Sequence, residues 1–94
     1  MKMQRYRNVF DAIESDPAVA ENLKIRSQLM NALSLYIEKH KLTQREAAEL
    51  FGVNQPRISD LVRGKIERFT IDMLVNMLAR AGKHLSVKVT AKAA

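Results

Sequence analysis

Apolar residues recur at three- and four-residue steps along most of this chain, and at two-residue steps in one short stretch near its end. Leu23, Ile25, Leu29, Met30, Leu33, Tyr36 and Ile37 form one stripe of a helix predicted from about Ala18 to His40. Lys24, Arg26, Gln28 and Glu38 occupy its other faces. Two shorter helices are predicted over Thr43–Phe51 and Asn54–Arg63, with Ile58 and Leu61 of the second turned to a core. Ile71, Leu74, Val75, Leu78 and Ala79 predict another, opened by Thr70 as N-cap with Asp72 in its first turn and closed at Gly82. After Gly82, Leu85, Val87 and Val89 alternate with Ser86, Lys88 and Thr90, the period of a half-buried strand. Ahead of all these, Val9, Phe10 and Ile13 space an apolar face over residues 8–15, with Asn8 as a possible cap, before Asp16-Pro17 interrupts the pattern. A helix that short is marginal in water and needs something to pack on.

The punctuation between the two short helices is the most specific signal. Thr43 and Glu46 have the spacing of a capping box, in which each side chain accepts from a free backbone N–H of the other. Ala47 and Ala48 keep one helix face small. Gly52 stands at the turn, where a left-handed residue without a Cβ fits. Asn54 is placed to cap the next helix, Pro56 falls in its first turn, and Gly64 is placed to end it. These constraints together fit a helix-turn-helix, whose second helix enters a DNA major groove.

Gln44, Ala48, Gly52, Gln55, Ile58 and Leu61, followed by Arg63-Gly64-Lys65, resemble the phage-repressor-type (Xre/Cro) helix-turn-helix family over about two-thirds of the chain. More narrowly, AENLKIRSQLM, LTQREAAELFGVNQPRISDLVRGK and LSVKVT are similar to the HigA-type antitoxins of bacterial toxin–antitoxin pairs. The resemblance implies a sequence-specific repressor that binds a palindromic operator. It also implies neutralisation of a small basic RelE/HigB-like toxin and repression of the protein's own operon. Against the family pattern, Gln55 stands at a position commonly used for bases, whereas Pro56 and Asp60 depart from the usual glutamine-like residues.

The expected architecture is all-α: a five-helix repressor-like domain with a short C-terminal β-strand paired across a homodimer. Residues 1–21 read as an N-terminal arm, 22–84 as the DNA-binding domain, and 85–94 as the strand and tail. A lone strand leaves a row of unpaired backbone groups, and the same strand of a second copy would satisfy them. Composition points the same way. A chain of 94 residues builds only a small core, and without cysteine neither disulfides nor a thiolate metal site can support it. With 5% aromatic residues, that core is expected to consist of Leu, Ile, Val, Ala and Met.

No apolar run approaches the roughly 20 residues that span a bilayer. The basic first residues are not followed by the apolar stretch of a secretory signal, so a soluble, cytoplasmic protein is expected. Net charge is +6, unevenly spread: residues 8–22 carry Asp11, Glu14, Asp16 and Glu21 and no basic residue, a local charge of −4. The basic remainder suits a phosphate-binding surface. The acidic arm, with Val9, Phe10 and Ile13, suits either a basic protein partner or packing on its own domain.

Phosphate contacts position such a protein and base contacts give it specificity. The phosphate candidates are Thr43 and Gln44, at a helix start, and Arg63, Lys65 and Arg68, beyond the second helix. The base-reading candidates are Asn54, Gln55, Arg57 and Ser59, with Arg57 favoured for guanine and a phosphate contact as its alternative. Asp60 could accept from a cytosine, but pairing with Arg57 or Arg63, three residues to either side, is favoured. Leu85, Val87 and Val89 are the dimer-strand candidates. His40 and His84 lack companions at metal-ligand spacing, Ser59 and Thr43 lack a nearby His–Asp arrangement, and no glycine loop could cradle a cofactor phosphate. No enzyme, metal or cofactor is expected. A stand-alone Xre-type regulator without a toxin partner, and a scaffold that has lost DNA binding, are the competing readings.

Overall fold

Asp16 opens the first described helix: its side chain accepts from the Ala18 N–H at 2.9 Å, and Pro17 fills the first turn, where a missing N–H costs nothing. The Asp16-Pro17 pair thus starts a helix. The computed structural model describes residues 16–91, so the expected short helix over residues 8–15, with Val9, Phe10 and Ile13, lies outside the described residues. In order come α1 (Pro17–Lys39), α2 (Gln44–Phe51), α3 (Gln55–Val62), a 3₁₀ turn (Ile66–Arg68) and α4 (Ile71–Arg80). The described chain therefore holds four α-helices of the five expected.

Every α-helix start is capped by a side-chain oxygen: beyond Asp16, Thr43 accepts from Glu46, Asn54 from Arg57 and Thr70 from Met73. The capping box forms in full, since the Glu46 carboxylate also accepts from the Thr43 N–H at 2.8 Å. Every end has one design too. The N–H groups of Leu42, Val53, Lys65 and Lys83 reach back to carbonyls five residues earlier, at 3.0 Å each. Such a closure needs a left-handed residue just before the donor. Gly52, Gly64 and Gly82 fill three of these places, and Lys41, at φ 53°, fills the fourth.

The long α1 packs against α4, α3 and the 3₁₀ turn, while α2 packs on α3 and α4. Met30 and Leu33 from α1 meet Ala47, Ala48 and Phe51 from α2, Ile58 and Leu61 from α3, and Leu74, Met77 and Leu78 from α4. Ile66 and Phe69 close the core from the turn. The expected core without aromatic residues is corrected: Phe51 and Phe69, each 1% exposed, are among its largest buried side chains. Two rings suffice in a core this small, since one aromatic side chain buries about 150–250 Å². No polar or charged residue is buried among the described residues.

The C-terminal strand is also corrected. No strand occurs among the described residues, and 83–91 adopt no regular secondary structure. Leu85 packs against the core, but Val87 and Val89 are 80% and 91% exposed. The alternating pattern is present, but a strand exists only when a neighbour takes up its backbone groups, and among the described residues no neighbour does.

Candidate nucleic-acid interface

The path from α2 through Gly52 to α3 is held tightly. Gly52 has φ 72°, and a Cβ there would lie 2.5 Å from the Arg80 Cδ. Only glycine combines that dihedral with so close an approach at no cost. The turn sets α3 across α2. Ile58 and Leu61 are buried, which leaves Asn54, Gln55 and Pro56 exposed at the start of α3.

The base-reading candidates are not equivalent. Gln55 is exposed in the first turn and offers a carboxamide with two donors and an acceptor. The Asn54 oxygen is engaged in capping, accepting from the Arg57 N–H at 2.9 Å, so its amide NH₂ is the part left for a base. Ser59 is half-buried. Arg57 is half-buried as well, and its guanidinium turns to the segment after α3. Nη1 donates to the Arg68 carbonyl at 2.9 Å, and the group lies 5.6 Å from the centroid of the Phe69 ring. Asp60 takes a partner that spacing along the helix does not suggest. Its carboxylate meets Arg68 Nη1 at 3.5 Å, across eight positions of chain and a turn. The 3₁₀ turn folds back beside α3, and this brings the two together.

Among the phosphate candidates, Thr43 already gives its N–H to Glu46, which also sets a carboxylate at the start of α2. Gln44 is exposed at the first position of that helix. Arg63 and Arg68 are exposed and Lys65 half-buried on the segment from the end of α3 through the turn. The structure thus groups Arg57, Asp60 and Arg68 through direct contacts, while Thr43 and Gln44 belong to a separate helix start.

One participant carries no signal in the sequence. Arg26 on α1 falls on a polar face, yet its guanidinium is half-buried. Nε donates to the Asn22 Oδ1 at 2.7 Å, and Nη1 donates to the carbonyls of Ile66 at 3.2 Å and Phe69 at 3.0 Å. The acceptors lie 40 and 43 positions away, beyond the reach of any local pattern.

The two histidines sit away from these groups. His40 stacks on Tyr36 with ring centroids 4.2 Å apart, and His84 lines an open apolar groove of 460 Å³ between α1, the end of α4 and the tail. Leu29, Ala32, Leu35 and Leu85 form its apolar lining, and Lys39 and Lys83 also border it. No helix among the described residues is long and apolar enough to cross a membrane.

No curated protein is similar enough to the chain to count as a match. A family model described as a helix-turn-helix domain matches residues 12–90, well over half of the 94-residue chain. That span takes in all four described helices and the groups assembled around α3, and the chain belongs to this helix-turn-helix domain family.

Proposed function

We propose that the protein is a cytoplasmic, sequence-specific DNA-binding repressor of the Xre/Cro type that acts as a homodimer on a palindromic operator. The carrying observation is the α2–Gly52–α3 unit, which presents the exposed start of α3 on a chain of net charge +6. In this reading Gln55 and the Asn54 amide face base edges, while Gln44, Arg63, Lys65 and Arg68 face phosphates. The experiment is a titration of fluorescent duplexes across a salt series. Affinity is expected to fall steeply and linearly on logarithmic axes as salt rises, and more steeply the more phosphates are contacted. Flat, weak binding to every duplex, including those selected from a random pool, would leave only a scaffold without DNA function.

The homodimer rests on apolar surface left uncovered in one copy. Leu35 is 55% exposed beside the groove, and Val87 and Val89 stand out from the tail that leaves it. Each copy supplies both a groove and a protruding apolar tail, as a reciprocal two-fold contact requires. The acidic composition of residues 8–22, with apolar Val9, Phe10 and Ile13 among them, supports the narrower reading of a HigA-type antitoxin for a small basic RelE/HigB-like toxin. Co-expression with the product of the neighbouring reading frame tests it. Co-purification that is lost on Phe10→Asp supports the antitoxin role, and a neighbour that never co-purifies leaves a stand-alone regulator.

A further inference from the structure

The 3₁₀ turn after α3 is three residues long, and no side chain caps its start. The Phe69 N–H closes the turn on the Ile66 carbonyl at 3.2 Å, but no further turn follows to supply N–H groups to the carbonyls of Arg68 and Phe69. Two arginines from different helices take that place. Arg26 of α1 donates to the Ile66 and Phe69 carbonyls, and Arg57 of α3 donates to the Arg68 carbonyl between them. The Arg57 guanidinium also lies over the Phe69 ring, itself 1% exposed and fixed in the core. Asn22 orients the Arg26 fork through Nε. Charged donors make the stronger kind of hydrogen bond, and a planar guanidinium loses less freedom than a lysine in making one.

We infer that Arg26 and Arg57 are positioning residues for DNA binding: together they hold the Ile66–Phe69 segment in the shape that presents Lys65 and Arg68 to the duplex backbone. This rests on the DNA-binding reading above and reassigns Arg57 within it. A guanine reader presents an edge of its guanidinium to the base. Arg57 instead has Nη1 on a carbonyl and its group against a ring before any DNA arrives. Arg26 lies on α1, outside the helix pair that docks on DNA, so any effect it has on DNA affinity must pass through what it holds.

The test measures binding of the full chain to two duplexes, one selected from a random pool by the wild-type protein and one of mixed sequence and equal length. R26K and R57K keep the charge and remove the planar fork. Each is expected to weaken binding to both duplexes about equally, by roughly tenfold. The salt slope should fall by about one to two, the share of one or two phosphate contacts. In a Lys65→Ala/Arg68→Ala background the same changes should have little further effect, because the residues they act through are gone. A lysine variant that lowers the melting temperature but leaves the salt slope of the folded protein intact overturns the inference. So does R57K relaxing preference at a single base pair, which would make Arg57 a reader. Should R26K fail to fold, Asn22→Ala loosens the same fork and is read in the same way. Wild-type protein without salt-dependent binding would sink the DNA-binding reading itself, whereas steep wild-type binding with unchanged variants sinks only this inference.

Discussion

Lys41 and Gly52 hold the same backbone conformation in chemically opposite ways. Lys41 sits at φ 53° and closes α1, with the Leu42 N–H donating to the Ile37 carbonyl at 3.0 Å. A side chain in the left-handed region costs about 1–2 kcal/mol, and glycine gives back part of that relief through its freer unfolded chain. Lys41→Gly is therefore expected to stabilise the domain by about 0.5–1 kcal/mol in thermal melts. Gly52→Ala runs the other way and is expected to cost about 1–2 kcal/mol, with Arg80 swinging aside. Equal melting temperatures for the two variants would contradict the assignment of strain to these dihedrals. The glycine was legible in the sequence because the turn residue is also the common one. Lys41 was not, because a lysine gives no hint that it occupies a glycine's conformation.

At the scale of elements, α3 depends on its first turn, since eight residues form few intrahelical bonds. Asn54 supplies the cap, and its two roles can be separated by substitution. Asn54→Ala is expected to lower stability by about 1 kcal/mol. Asn54→Asp should keep the cap and the melting temperature while weakening DNA binding, because it adds a negative charge at the exposed start of the helix. A loss of stability in the aspartate variant would show that the amide NH₂, not the capping oxygen, holds the helix start. The helices were readable because their signals are local: Thr43 with Glu46, Asn54 with Arg57, Thr70 with Met73. The Asp60–Arg68 contact was not legible for the complementary reason. Helical spacing offered Arg57 or Arg63, whereas the turn carried Arg68 back to within 3.5 Å.

For the whole molecule, the question is how many copies complete it. Removing residues 86–94 leaves Leu85 on the core and takes away the exposed Val87 and Val89. Light scattering is expected to give twice the 10.7 kDa chain mass for the full protein and a single chain mass after the truncation. A full-length chain already at 10.7 kDa would leave the tail without its proposed role. The alternation at Leu85, Val87 and Val89 was legible as a pattern, but a pattern of period two says only which side is apolar. Whether it becomes a strand depends on a partner that the described residues do not contain.

The core of this domain contains no buried polar or charged side chain among the described residues, while Gln55 and Pro56 lie in the open at the start of α3. In the proposed DNA-binding role, Gln55 is therefore separate from the residues that keep the protein folded, while Asn54 serves both the cap and the reading surface. On that proposal, exchanging Gln55 retunes the operator preference without reopening the packing of Phe51, Leu61 or Leu74.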